Sequence, residues 1–381
     1  MPKPHQPQPD QAPKDKSELH LFIIWQNARA HEAEIVKDIA ANFRILKQIE
    51  ITWTKQHFSK NLTRFYNATL PPLNFKEREC GNGPFLLLLV EDPAPKYEYR
   101  PTSRGRQLVN THIFDKKSEY RKLVDSRPNS KVHATNSTLE SDHDLTLLLG
   151  LSIYDVRDKL NLLPEHYHQD LLGTTGWDSL DQLFYCLNHT VNYLVLRNFD
   201  GLPDHFDPKL HGDIDLLTDD YQNLRRVLNG KKIHLPSYRV HYSAKVGKRT
   251  IYFDLRSVGD NYYDKRWQEN LLATRELNSS KIYVPSAENH KYSLTYHALV
   301  HKSKIAPDYQ QKLATFFPNT DPEKALTDFL RRHNYRYVEP RDLSVLFHPD
   351  KYGLPASPRR TLRQSYVSVR SHLKQLLKGN R

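Results

Sequence analysis

The feature that most constrains the fold is the stretch from Leu194 to Asp220, LVLRNFDGLPDHFDPKLHGDIDLLTDD, in which two acids, Asp213 and Asp215, stand inside an apolar frame. The run Tyr193 to Leu196 predicts a strand or the end of a helix. A loop rich in Pro and Asp follows, and the segment carrying Asp213 and Asp215 predicts a second buried element. In a strand, residues two apart share a face and lie about 6.5–7 Å apart. Asp213 and Asp215 then project together while Ile214 and Leu216 turn to the core. Two buried anions side by side are costly; Mg²⁺ or Mn²⁺ relieves the repulsion and offers open positions to phosphate oxygens. The plainer expectation is a solvated strand end that carries two acids by chance.

A third carboxylate falls into the same pattern. Thr250 to Val258, TIYFDLRSV, alternates with Ile251, Phe253 and Leu255 on one face and Tyr252, Asp254 and Arg256 on the other. If this strand neighbours the first, Asp213, Asp215 and Asp254 form a trio able to hold two cations about 3.5–4 Å apart, an arrangement suited to in-line displacement at phosphorus. The constellation resembles the nucleotidyltransferase superfamily of the DNA polymerase β type, where a DxD pair and a third Asp on a nearby strand bind metal and nucleotide. That resemblance implies a metal-binding and catalytic role for Asp213, Asp215 and Asp254. The family's small-residue turn ahead of the DxD is replaced here by Leu196, Arg197, Asn198 and Phe199. Arg197 and His211 are therefore the expected phosphate contacts, with Arg256 and Lys302 as further ones. The runs LRNFDGLP, HGDIDLL, FDLRSVGDNYYD and YSLTYHALVHK also resemble nucleotidyltransferase-like proteins of bacterial capsule and teichoic-acid loci. This second likeness implies a glycan or polyol-phosphate acceptor among cell-surface polysaccharide precursors.

The chain has 381 residues, room for two domains and a helical extension. A formal charge of +12 and a pI near 9.4 favour anionic partners such as nucleotides and phosphorylated glycans. The basic residues are spread along the chain, without an arginine-rich arm, so nucleic acid is not the favoured partner. Cys80 and Cys186 are far apart with no CxxC, which argues against a disulfide framework or a cysteine-based zinc site and fits a reducing cytoplasm. No run reaches membrane-span length. The Pro-rich leader, residues 1–17, reads as disordered.

Residues 18–150 predict a first α/β domain. Strands are expected at 19–25, 48–54, 84–90 and 131–135, with helices at 32–43, 57–66, 116–124 and 139–149. The order describes a ferredoxin-like split βαβ sheet with an extra helical hairpin. Within it KVHATNSTLESDHDLTLLLG, 131–150, resembles the nucleoside diphosphate kinase pattern of a histidine at a strand end followed by a polar turn and a Ser-Glu helix. The likeness implies His133 as phosphate acceptor, Arg121 as a phosphate contact and Tyr66 as a partner of the nucleotide region. It also implies assembly into a homo-oligomer through this domain.

Residues 151–285 are expected to hold the nucleotidyltransferase-like domain and 286–381 a helical region. The aromatics of Asp260 to Trp267 read either as a sugar-stacking platform or as anchors of a surface loop. His297 and His301, four apart, fit a packed helical pair better than a metal site. The basic tail from Arg359 predicts an amphipathic helix, solvated or docked on an acidic or membrane surface such as the inner membrane face. The whole predicts an α/β (α+β) enzyme that transfers a nucleotidyl or phosphoryl group with Mg²⁺ or Mn²⁺, from a nucleoside triphosphate or nucleotide-activated substrate. The alternatives are a non-catalytic nucleotide sensor or scaffold, and a nucleotidyltransferase that modifies tRNA or protein.

Overall fold

The computed structural model describes residues 17–68, 70, 73–207, 212–235, 239–355, 357–358 and 361. The leader to residue 16, His211 and nearly all of the basic tail lie outside the described residues. The chain divides into two compact units. One comprises the chain through Val191 with Gln222–Asn229 and Lys245–Arg249; the other comprises Asn192–Tyr221, Gly230–Ala244 and the chain from Thr250 onward.

The first unit is built on a five-stranded sheet of β1 (Glu18–Ile24), β2 (Arg44–Thr52), β3 (Phe85–Asp92), β6 (Val132–Ala134) and β7 (His166–His168) in the order β6-β1-β3-β2-β7. Strand β3 is buried along its whole length because FLLLLV presents apolar groups to both faces. It pairs antiparallel with β1 and β2, and β1 pairs antiparallel with β6. Helix α1 (Glu32–Asn42) links β1 to β2, which makes the split βαβ arrangement. The predicted strands and helices of 18–150 fall within a few residues of these elements and of α2 (Phe58–Phe65), α4 (Thr111–Val124) and α5 (Thr138–Leu149).

Short helix α3 (Phe75–Cys80) and a hairpin of β4 (Tyr97–Thr102) and β5 (Gly105–Asn110) lie between these elements, and the sequence did not announce them. The first unit also runs past residue 150. Helices α6 (Ile153–Lys159) and α7 (Leu180–Thr190) belong to it, tied through Asp142, which accepts from the Ile153 amide at 2.8 Å and stands 2.9 Å from His189 Nδ1. The units part at Val191/Asn192 rather than at 150 because α5 and α7 share one buried face.

The second unit carries a five-stranded sheet, order β10-β11-β12-β9-β8, from β8 (Tyr193–Val195), β9 (Ile214–Thr218), β10 (Lys231–Lys232), β11 (His241–Val246) and β12 (Arg249–Ser257). Gly247 turns the chain between β11 and β12 with φ +56°, a left-handed conformation that glycine adopts without strain. Strands β9 and β12 run parallel with Asp215 opposite Asp254. Helices Lys265–Ala273, Ala287–Val300 and Pro322–Arg332 supply the apolar side of the core, where Tyr262, Tyr263, Trp267, Tyr296 and Phe329 pack with Leu194, Leu196 and Leu217. The helical residues after 286 are thus part of the same compact unit as the Asp-bearing sheet. Among the described residues no helix is long and apolar enough to cross a membrane.

Candidate functional site

Parallel pairing of β9 with β12 brings the predicted acids together. Asp215 and Asp254 are register partners on adjacent strands, and Asp213 lies just ahead of β9. Asp215 is 3% exposed and Asp254 7%, so both carboxylates are largely out of water. Burial, joined by the neighbouring Asp215 and Asp254 charges, pushes the Asp213 carboxyl up to about 7. Burial also raises Asp215, against the pull of Arg197.

Arg197 answers part of this charge. The residue is 7% exposed and Nη2 donates to Asp215 Oδ1 at 2.5 Å, while the buried Nη1 has no hydrogen-bond partner. Arg256 sits on the other flank. Its Nη2 lies 3.3 Å from Asp254 Oδ2, and its Nη1 lies 3.4 Å from Asp342 Oδ2 and 4.0 Å from Asp260 Oδ2. Facing three carboxylates, Arg256 is fixed as a buried counter-ion, a different placing from the phosphate contact expected of it. Tyr262 packs between the two arginines, with the Arg256 and Arg197 guanidinium carbons 4.1 and 5.7 Å from its ring centre. Its hydroxyl stands 2.6 Å from His297 Nδ1.

Several expectations need restating. Tyr262, Tyr263 and Trp267 are buried in the core, so they cannot serve as an exposed stacking platform. Their burial follows from packing against the Ala287–Val300 helix. Lys302 is exposed beyond the end of that helix and close enough for its charge to act on Asp215. Two groups escaped the sequence reading. Asp342 arrives from irregular chain far along the sequence, with no periodicity to flag it. His241, on β11, stands with Nε2 3.5 Å from Asp254 Oδ1; burial holds its imidazole below the ordinary histidine range.

Asp213 and Asp254 bring ligand atoms within 4.8 Å of one another together with His241, a donor set that fits a divalent cation, whereas Asp215, the third acid expected as a ligand, is bound to Arg197. Oδ1 of Asp254 is buried without a hydrogen bond of ordinary length, and His241 Nε2 stands 3.5 Å from it. Oxygen donors of this kind suit Mg²⁺ or Mn²⁺.

The first unit holds the second cluster. His133, on β6, is buried, and its Nε2 lies 2.8 Å from Asp144 Oδ2 on α5. Asp144 is also 2.9 Å from His143 Nδ1. Burial alone would raise the Asp144 carboxyl, but the two histidine contacts outweigh it and hold the group below the usual carboxylate range. The rings of Phe65 and Tyr66 stand edge-on to the imidazole, 5.2 and 5.5 Å away. The Tyr66 hydroxyl accepts from Trp25 Nε1, and Lys76 Nζ lies 3.6 Å over the Tyr66 ring. Arg121 is within electrostatic range of Tyr66, and its Nε donates to the Val132 carbonyl at 2.7 Å. His133, Tyr66 and Arg121 are therefore brought together. Lys76 and Asp144 complete the group, and the sequence assigned neither a role.

No protein-family profile and no curated protein matches this chain. Among solved structures, part of the chain is similar to the nucleoside diphosphate kinase of Aquifex aeolicus, at 15% identity and a TM-score of 0.23, over 34% of this chain and 92% of that one.

Proposed function

We propose that the second unit is a metal-dependent nucleotidyl- or phospho-transferase that takes a nucleoside triphosphate or nucleotide-activated substrate. The observation that carries this reading is the pairing of Asp215 with Asp254 on parallel strands, Asp213 just ahead of them and Arg197 against Asp215. Asp213 and Asp254, with Asp215 beside them on Arg197, would hold Mg²⁺ or Mn²⁺, which supplies charge neutralisation at phosphate oxygens when bound. The chain's own groups do the rest. Arg197 keeps Asp215 in place and retains Nη1 as a donor for a phosphate oxygen. Asp254 accepts the proton of an acceptor hydroxyl as that oxygen bonds to phosphorus and the bond from phosphorus to the leaving phosphate breaks. Lys302 adds positive charge on the approach for an anionic substrate. The acceptor class follows from the resemblance to capsule and teichoic-acid proteins: a glycan or polyol-phosphate precursor, with tRNA or protein as the alternative acceptors.

Titration calorimetry of ATP and CTP, with and without Mg²⁺, tests the reading on the wild type and on Asp213→Asn. Nucleotide binding that needs the metal and disappears in the variant supports it. Metal-linked binding that survives unchanged in Asp213→Asn overturns it.

The cluster around His133 favours one further reading, nucleotide binding without catalysis by the first unit. Lys76, Arg121 and Tyr66 gather beside a histidine already committed to Asp144, a set able to hold phosphate. Nucleotide binding that persists without divalent metal and is lost in Arg121→Ala would locate the ligand there and make the protein a sensor or scaffold.

A further inference from the structure

The aspartate trio is not the group whose ligand atoms converge. Asp215 commits Oδ1 to Arg197 at 2.5 Å. The ligand atoms of Asp213, Asp254 and His241 all lie within 4.8 Å of one another, and His241 Nε2 is already 3.5 Å from Asp254 Oδ1. Donors bound at about 2.1–2.2 Å to one ion stand about 3–4 Å apart, so the His241–Asp254 pair needs no rearrangement to share a cation. Independent evidence comes from unmet bonding. Asp254 is more than nine-tenths buried, yet its Oδ1 receives no hydrogen bond. His241 Nε2 faces that oxygen at 3.5 Å, a distance too long for a good hydrogen bond. A cation seated between Asp254 Oδ1 and His241 Nε2 would be shared by both.

Building on the transferase reading above, we infer that the cation seat of the second unit is a mixed Asp213–Asp254–His241 site, selective for a first-row transition dication over Mg²⁺. The chemistry of the donors sets that preference. Mg²⁺ takes oxygen ligands in a strict octahedron and gives up water reluctantly, whereas an imidazole nitrogen suits Mn²⁺ and the later ions of the series. Asp215 then has a different duty from the one its DxD spacing suggests: it anchors Arg197. His241 reaches the seat because β11 is the neighbour of β12 on the side opposite β9.

The test uses the full chain, stripped of metal by chelation, with Mn²⁺ and Mg²⁺ as probes. Calorimetry should give Mn²⁺ binding at least about tenfold tighter than Mg²⁺. His241→Gln should weaken Mn²⁺ by about 10–100-fold and leave Mg²⁺ within about twofold. Electron spin-echo spectroscopy of Mn²⁺ on the wild-type chain should show nitrogen modulation from one imidazole, a readout that needs no variant to fold. Asp254→Asn separates the two claims. If it abolishes both ions while His241→Gln changes neither and no nitrogen coupling appears, the mixed site is refuted and the carboxylate seat stands. If Asp254→Asn leaves both affinities intact, or the wild type binds neither ion, both claims are overturned.

Discussion

Removing the Arg197 guanidinium tests whether the buried charges of the second unit form one interdependent set. Arg197 is the partner of Asp215 at 2.5 Å, and both side chains are more than nine-tenths buried. Arg197→Met keeps most of the stem and deletes the charge. Breaking a buried pair from one side costs about 3–5 kcal/mol, because the remaining ion stays desolvated and unpaired. The loss of contact with the Tyr262 ring, 5.7 Å from the guanidinium carbon, adds about 0.5–1 kcal/mol. Lys302 still acts on Asp215, which keeps the expected total near the lower end, about 3–4 kcal/mol. Asp215→Asn in the same chain removes the stranded charge and should recover at least about 2 kcal/mol of that loss, the size of coupling seen between contacting groups. The assay is urea unfolding in the presence of a chelator, followed by fluorescence of Trp267, which is fully buried in the same unit. Metal is excluded because a cation at a hundred times its dissociation constant adds about 2.7 kcal/mol and would mask the effect. A loss below about 1 kcal/mol for Arg197→Met, or a double variant no more stable than the single one, would show that the two charges are not coupled.

In the first unit, Arg64 donates from Nε to the Arg226 carbonyl, from Nη1 to Thr174 Oγ1, and from Nη2 to the Leu172 and Val227 carbonyls. Arg64→Ala should cost more than about 3 kcal/mol by leaving these acceptors unmet, read as a fall in melting temperature; a fall under about 2 °C would contradict this. Lys117 gives a pH signature. Its Nζ lies 3.1 Å from the Ala134 carbonyl, and burial lowers the amine from 10.5 to about 8. Below pH 8 the amine is charged in both states, and the folded chain bears the full cost of burying it. Between about 8 and 10.5 the folded state releases the proton first, so stability rises with pH by up to about 3 kcal/mol from this group. Unfolding free energies of wild type and Lys117→Met, compared from pH 7 to 10.5, should converge or diverge by that rise; parallel curves would show that Lys117 is not perturbed.

Strands with a single apolar face, or two, were legible in the sequence because burial writes a period into them. FLLLLV declares a central strand, and TIYFDLRSV places Asp254 on its face by alternation alone. The β4–β5 hairpin was illegible for the opposite reason: YEYRPT is mostly exposed and contains a proline, so no buried face marks it. Site residues followed the same division. Asp215 and Asp254 stand in patterned strands and Asp213 just ahead of one, whereas His241 and Asp342 enter through sheet order and through chain without regular structure. The aromatic run at Tyr262 misled because composition does not say which side of a loop faces the core; Trp267 and the Ala287–Val300 helix decide it.

Anomalous scattering from crystals of the full chain grown with MnCl₂ would locate the cation seat itself. One strong manganese peak is expected, with oxygens of Asp213 and Asp254 at coordination distance, about 2.1–2.3 Å, and Asp215 still bound to Arg197. Crystals that diffract well with Mn²⁺ in excess and show no peak between β9 and β12 would contradict it.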